Sequence, residues 1–336
     1  MYHVLISAVG GDIGQGILKS LRASKLPLKI IGCDMNPDSA GIFLCDKGYL
    51  VTAARSDPQK YIKDIVKICK QEHIEIVFCA QPYELKVLSR FKKKIKLKTG
   101  AYVAVQDQEI FNLSMDKLKI YNFMKSKLIR SPETYADQKG FEILAKKHGY
   151  PLLVKARLSF GFGFHDFKLV NNREEFKKIW QSSKGLIVQE YIENQDNEEY
   201  TVGVFLDKYS KVLGSIAMLR KLRFGLTFHA VADDYTAVRK AAEKAAQSIG
   251  AVGPCNVQLR IDKKGNPCVI EINARISSTT AFRTHFGFNE AKACIEYFLQ
   301  NKIPKFSYKK GVAMKAWTEA YTTLSKYNLL KKKRIL

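Results

Sequence analysis

The stretch Asn256-Val-Gln-Leu-Arg-Ile-Asp-Lys-Lys-Gly-Asn-Pro-Cys-Val-Ile-Glu-Ile-Asn273 constrains this chain more than any other. Two runs of period-2 alternation flank Asp262 to Pro267, the pattern of a β-hairpin. With Ile261 facing Cys268, Gln258 falls opposite Glu271, Leu259 opposite Ile270 and Val257 opposite Ile272. Alternation sends Val257, Leu259, Ile261, Ile270 and Ile272 toward a core, and Asn256, Gln258, Glu271 and Asn273 to the other face as a cluster of oxygen ligands. Directly opposed residues have Cβ atoms about 5 Å apart. Gln258 and Glu271 can therefore share a hard cation, with Asn273 beside them. Mg²⁺ takes such oxygen donors and keeps places for substrate phosphates. A hairpin with one buried and one wet face has the same pattern, so the rest of the chain must decide.

At 336 residues the chain has room for two or three domains. Its 46% hydrophobic and 26% charged residues are those of a globular protein. No apolar run approaches the ~20 residues of a membrane span. Met1 to Ser7 lacks a basic n-region and cleavage site, because it is already strand-like. The seven cysteines form no Cys-x-x-Cys pair and no Cys/His cluster. A cytoplasmic, reduced, zinc-free protein is expected. The net charge of +24 favours polyanionic company. Its lysines are spread along every predicted helix, however, and charge alone does not make a nucleic-acid binder.

Residues 1–112 alternate strand and helix, implying a doubly wound parallel sheet. Val4–Val9, Lys29–Asp34, Ile74–Ala80 and Ala101–Val105 are its strands, and Asp57-Pro58 caps a helix reaching Gln71. From 113 the character changes. Ser114 to Lys117 caps a helix, Pro151–Arg157 is a strand, Ser159-Phe-Gly161-Phe-Gly163 a glycine-bearing loop, and Phe167–Val170 a return strand. A lysine ending a strand beside such a loop, Lys155, suits phosphate. Leu186–Ile192 and Tyr200–Asp207 are strands around an acidic linker, Val212–Arg220 is another, and Arg220–Gly225 reads as a basic turn or lid. Helices are expected near 233–250 and 289–300.

Gly10, Gly11, Gly14 and Gly16, with Asp34 after the second strand, imitate a dinucleotide fingerprint. The spacing is not the strict Gly-x-Gly-x-x-Gly. A tight strand-to-helix turn, with backbone N–H groups toward an anionic substrate, is the alternative.

Taken in order, these pieces resemble the ATP-grasp superfamily, most nearly one ATP-binding half of the carbamoyl-phosphate synthetase large subunit. The resemblance covers roughly residues 1–300 and is strongest in Leu186–Glu199 and Gly253–Arg275. It implies a pre-ATP-grasp Rossmann-like domain (1–112), a small ATP-grasp subdomain (113–185) and a large one with the hairpin (186–305); residues 306–336 lie outside it as a basic C-terminal extension. It further implies ATP and Mg²⁺ (or Mn²⁺) as cofactors. Lys117 and Lys155 would contact phosphates, with Ser159, Gly161 and Gly163 in the covering loop. Gln189, Glu190, Tyr191 and Ile192 would form the hinge edge, the Glu190 carboxylate meeting adenine. Glu199 would hold the ribose. Gln258, Glu271 and Asn273 would carry the metal, and Asn273 and Arg275 would act on the transferred phosphoryl group. Arg220 on the lid would hold phosphate or an acidic acceptor.

The implied chemistry is attack of a carboxylate on the γ-phosphate, giving an acyl-phosphate that an amine captures. It needs positioning and neutralisation more than a covalent protein group. One half stands here where a full synthetase has two, and Ser278 replaces the family's second arginine, with Arg283 five residues on. A stand-alone carboxylate–amine ligase with small-molecule substrates is therefore expected; the oligomeric state is open, a homodimer being common among relatives. Bicarbonate activation, a non-catalytic nucleotide- or nucleic-acid-binding module and an NAD-dependent enzyme are the alternatives.

Overall fold

Strand and helix alternate from the start: β1 (Tyr2–Ser7), α1 (Asp12–Arg22), β2 (Leu28–Asp34), α2 (Ala40–Leu44), β3 (Lys47–Leu50) and α3 (Pro58–Gln71). β4 (Ile76–Cys79), α4 (Pro82–Thr99) and β5 (Tyr102–Val103) complete the first layer. The computed structural model describes residues 1–79, 81–159, 167–193, 198–316 and 318–336. The five strands are parallel in the order β3-β2-β1-β4-β5. Two of the helices begin on a side-chain cap followed by proline: Asp57 accepts from Lys60 N, and Gln81 from Glu84 N. β1 is buried on both faces, Leu5 against a core with Ile62, Ile65 and Leu88, Val4 and Ile6 against a second one.

α5 (Gln108–Met115) and α6 (Lys117–Ser126) lead to β6 (Thr134–Tyr135), α7 (Gln138–His148) and β7 (Leu152–Ala156). β8 (Lys168–Val170), α8 (Arg173–Ser182) and β9 (Leu186–Glu190) follow. The strands form an antiparallel sheet, β6-β9-β7-β8, with its own small core of Phe141, Leu144 and Phe176 against Leu152, Val154 and Val188.

The largest sheet holds β10 (Glu198–Leu206), β11 (Val212–Arg223), β12 (Leu226–Ala232), β13 (Gly253–Ile261), β14 (Pro267–Asn273) and β15 (Gly311–Met314). Its helices are α9 (Thr236–Ser248), α10 (Thr280–His285), α11 (Glu290–Phe298) and α12 (Leu324–Lys333). The order is β14-β13-β10-β11-β12-β15, antiparallel throughout. Alternation divides its strands between two cores. Val202, Val204, Val257 and Leu259 pack on Ala242 and Ala245 of α9. Phe205, Met218 and Ala230 pack with Ile17 and Leu21 of α1, Ala291 and Ile295 of α11, and Val4 and Ile6 of β1. The parallel and the six-stranded sheets thus share one core.

Two segments take a form that the sequence pattern leaves open. Arg220 to Gly225 is not a basic lid: β11 continues to Arg223, and the reversal is Phe224-Gly225, both at positive φ (52° and 73°) as a two-residue hairpin turn requires. Residues 306–336 are built into both larger sheets. β15 pairs with β12, and α12 returns to the parallel sheet, where Leu336 N donates to Gly48 O (2.9 Å) and Leu50 N to Arg334 O (2.8 Å). Leu330 is fully buried there. Its replacement, Leu330→Ala, should cost about 2–4 kcal/mol in urea denaturation. A loss below about 0.5 kcal/mol would show that α12 is not held by this contact.

Candidate functional site

The hairpin keeps the expected register at its base and loses it toward the turn. Asn256 opposes Asn273, Val257 opposes Ile272 and Gln258 opposes Glu271. A β-bulge after Gln258 then sets Leu259 against Val269 and Ile261 against Pro267. The extra residue is Ile270. It leaves the core to Val269 and lies with Glu271 along a cavity of about 540 Å³. A bulge turns two successive side chains toward one face, so Ile270 becomes an apolar wall beside the polar platform.

Lys117 and Lys155 line this cavity, and so does Ser159. They are brought together by Asp116, which caps α6 through Leu118 N and Lys119 N and takes a two-pronged ion pair from Arg157 at the end of β7. Lys117 N donates to Arg157 O (3.0 Å) and Lys117 Nζ to Ser159 Oγ (3.1 Å). Burial pushes the Lys155 ammonium down to about 8, against the pull of Glu271. Burial lowers Lys117 as well. Gly161 and Gly163 fall outside the described residues.

Gln189, Glu190, Tyr191 and Ile192 form one edge of the cavity. Gln189 Nε2 is spent on Thr134 Oγ1 (2.7 Å). The Glu190 carboxylate, expected at adenine, accepts both prongs of Arg130 (2.9 and 2.6 Å) and Glu133 N (3.0 Å). Burial raises its pKa, but these donors outweigh it and hold it below the usual carboxylate range. Glu199 also faces the cavity, paired with Arg220 from β11 and 3.8 Å from Arg260. Arg220 is buried rather than poised on a lid, and its Nη1 donates to Thr227 Oγ1 (2.9 Å).

Sequence reasoning missed Arg260, Arg55 and Tyr83, all on the cavity wall. Arg260 stands two residues from Gln258, so alternation alone would have found it. It donates to Ile192 O (3.0 Å) and lies 5.8 Å over the Tyr191 ring. Arg55 comes from the turn between β3 and α3 and Tyr83 from the first turn of α4, with the guanidinium 5.4 Å over the tyrosine ring, and nothing in their local sequence marks them.

A second cavity of about 330 Å³ lies on the other side of Gln258, which lines both. Arg220, Asn256, Asn273 and Arg275 face it, as do Gly11 and Asp12 at the start of α1. Arg275 Nη1 donates to Ile276 O (3.0 Å), Nη2 reaches Asn273 Oδ1 at 3.4 Å, and burial lowers its pKa. The glycine turn serves packing. A Cβ on Gly10 would stand 2.2 Å from Ser39 Oγ, and one on Gly14 2.4 Å from Ala8 O. Asp34 accepts from Gly10 N (2.9 Å) and Asn36 N (3.0 Å), so its carboxylate braces the turn where a dinucleotide site would need it for ribose.

Two family models match the chain. One, described as ATP-grasp in the biosynthetic pathway with Ter operon, covers residues 182–320; the other, a PylC-like N-terminal domain, covers 4–103. The ATP-grasp match thus falls on the six-stranded sheet and its hairpin. The chain is 24% identical over 318 residues to the carbamoyl phosphate synthase large chain of Sulfurisphaera tokodaii, a match covering 88% of the chain and 30% of that protein. It thus spans under a third of the length of the curated relatives it matches. Its fold is that of N5-carboxyaminoimidazole synthetase from Staphylococcus aureus (TM-score 0.70, 17% identical, 99% of this chain and 85% of that one). The L-amino acid ligase from Bacillus licheniformis is similar too (TM-score 0.68, 17% identical, 88% and 74%).

The larger cavity carries one electrostatic prediction. Burial favours the neutral amine, so Lys155 should lose its proton as pH rises through about 8, well before an unfolded lysine. A ¹⁵N-lysine titration followed at Nζ, assigned through Lys155→Arg, should show that midpoint. Glu271→Gln should move it lower still, because the carboxylate holds the proton on. A midpoint near 10.4, the ordinary lysine value, would mean that the amine is solvated.

Proposed function

We propose that this chain is an ATP-dependent carboxylate–amine ligase that works through an acyl-phosphate. The observation that carries this reading is the pair Gln258 and Glu271 at the junction of the two cavities. The Gln258 amide comes within 2.9 Å of Glu271 Oε2. With Nε2 turned to Glu271 it donates there, and its oxygen accepts from Arg220 Nη2 at 3.1 Å. Turned over, it sets two oxygens ~2.9 Å apart, the edge of an octahedron whose metal–oxygen distance is about 2.1 Å. One carboxylate and two amide oxygens suit a hard divalent cation that keeps places for phosphates, so Gln258, Glu271 and Asn273 would hold Mg²⁺ or Mn²⁺. The metal, when bound, would supply charge neutralisation on the phosphate oxygens.

The larger cavity fits a nucleotide. About 540 Å³ is within the range of cofactor pockets. Leu153 and Ile270 give apolar walls, the backbone of Glu190 to Ile192 gives an edge for adenine, and Lys117 and Lys155 give cations for phosphates. Glu199 faces the ribose end in this reading. The smaller cavity, with Arg275 and Arg220, would seat the carboxylate. A carboxylate oxygen then bonds the γ-phosphorus as the bond to the β-phosphate oxygen breaks, releasing ADP. The amine nitrogen next bonds the acyl carbon, phosphate leaves with the acyl C–O electron pair, and the amine gives up a proton. We take residues 1–112, 113–185 and 186–305 as acceptor-side, phosphate-loop and metal-platform units of this machinery.

ADP and phosphate release with Mg·ATP, measured against pools of carboxylates with and without amines, tests the reading. Release requiring both establishes the ligase, and release with bicarbonate alone favours carbamoyl-phosphate-type activation. Glu271→Gln should lower turnover at least a hundredfold while leaving the melting temperature within a few degrees. Undiminished turnover in that variant would sink the metal assignment.

A further inference from the structure

Arg283 is the largest fully buried side chain among the described residues, and Glu290, also fully buried, accepts from its Nη1 at 3.0 Å. Such a pair is a costly way to fill space, since apolar side chains of similar volume are often more stabilising. The cost is not fully offset even within the pair. Arg283 Nε and Glu290 Oε2 are buried without a hydrogen-bond partner. β10 gives way to the guanidinium as well, because a Cβ on Gly203 would lie 2.8 Å from Arg283 Nη1.

What the arrangement secures is the orientation of one amide. Arg283 Nη2 donates to Thr201 Oγ1 (2.9 Å) and to Asn256 Oδ1 (2.5 Å), and Thr201 Oγ1 donates to the same Oδ1 (2.8 Å). A guanidinium only donates, so the atom of Asn256 that faces it must be the oxygen. With Oδ1 taken by two donors, Nδ2 is the group Asn256 offers to the smaller cavity, which it lines beside Asn273 and Arg275. Among the described residues no side chain or carbonyl accepts from it. The placement of Asn256 with the oxygen ligands is therefore corrected: alternation sets it beside Asn273, but the buried pair turns its oxygen inward.

We propose that Asn256 donates through Nδ2 to a non-bridging oxygen of the phosphoryl group in transfer, and that Arg283, anchored by Glu290, is the positioning residue for that amide. The inference rests on the phosphoryl-transfer reading given above. A donor already held in place is worth more at such an oxygen than one that solvent must reorient.

The test is calorimetric binding of Mg·ADP, alone and with orthovanadate as a phosphoryl mimic, to the full chain. The unaltered protein should bind Mg·ADP roughly tenfold more tightly when vanadate is present. Asn256→Asp should leave Mg·ADP affinity within about twofold and lose that tightening, since a carboxylate repels the oxyanion. Arg283→Met combined with Glu290→Leu keeps the space filled without leaving a lone buried charge, and should be at least as stable as the parent. It should also lose the tightening, because Asn256 is then free to turn over. If that apolar pair preserves the vanadate effect, the buried ions are structural only and the inference falls. A missing vanadate effect in the unaltered chain, with Mg·ADP bound, also overturns it and leaves the nucleotide site standing. Failure to bind Mg·ADP at all removes the ligase reading and this inference together.

Discussion

The register that sets Asn256 against Asn273 and Gln258 against Glu271 governs the polar side of the six-stranded sheet. One residue of slip would turn every one of these side chains into the α9 core and push Val257 and Ile272 into the cavities. The register is held from both sides. Val257 and Ile272 are buried on the apolar face, and β10 pairs along β13 with Thr201 opposite Gln258 and Gly203 opposite Asn256. The bulge beyond Gln258 adds what regular pairing cannot. It gives the larger cavity an apolar residue and a carboxylate in succession, Ile270 and Glu271, which strict alternation would have separated by the thickness of the sheet.

Much of this was legible in the chain itself. The period-2 runs of the hairpin, the Asp57-Pro58 cap and the α6 cap at Asp116 are local signals with local causes, and the structure follows them. What escaped depends on partners distant in sequence. Nothing near Ile270 announces a bulge, because the signal is the fit of β14 to β13. Glu190 looks like a hinge carboxylate until Arg130, sixty residues away, takes it. Arg220 sits in a run of basic residues that reads as a turn, yet the positive-φ pair Phe224-Gly225 moves the reversal outward and leaves Arg220 inside, against Glu199. The lysine-rich end of the chain hides Leu330 among charges, and only its burial against the parallel sheet reveals a docking helix. Patterns of burial were readable. The ownership of individual charges was not.

Those charges are handled differently at the two cavities. Glu199 is shared between Arg220 and Arg260, one carboxylate against two guanidiniums, so this part of the larger cavity keeps a net positive charge that is largely satisfied within the protein. Near the platform, Glu271 stands against Lys155, Lys117 and Arg275, all of whose pKa values burial lowers. An excess of desolvated cations is unfavourable for the empty protein and favourable for one holding an anion. The folded chain therefore carries electrostatic strain that a polyphosphate would relieve, and the strain sits where the site can use it. This local arrangement, and not the net charge of +24, is what selects an anionic ligand.

The wall that carries Gly11 and Asp12 is the more closely packed of the two, and its packing comes from the shared core. α1 presents Gly11 and Asp12 to the smaller cavity while Ile17, Leu18 and Leu21 lock it against α11 and the six-stranded sheet. Lys315, just past β15, reaches across to pair with Asp12, so a residue near each end of the chain closes the same wall. The four-stranded sheet has a core of its own and meets the rest through ion pairs, Asp116 with Arg157 and Glu190 with Arg130. A nucleotide bound between the sheets thus rests against one wall joined by polar links and one joined by close packing. Polar links rearrange at lower cost than a packed core, so in the proposed reading adjustment to a ligand would fall to the wall that carries Lys117 and Lys155, and discrimination between acceptors to the packed wall.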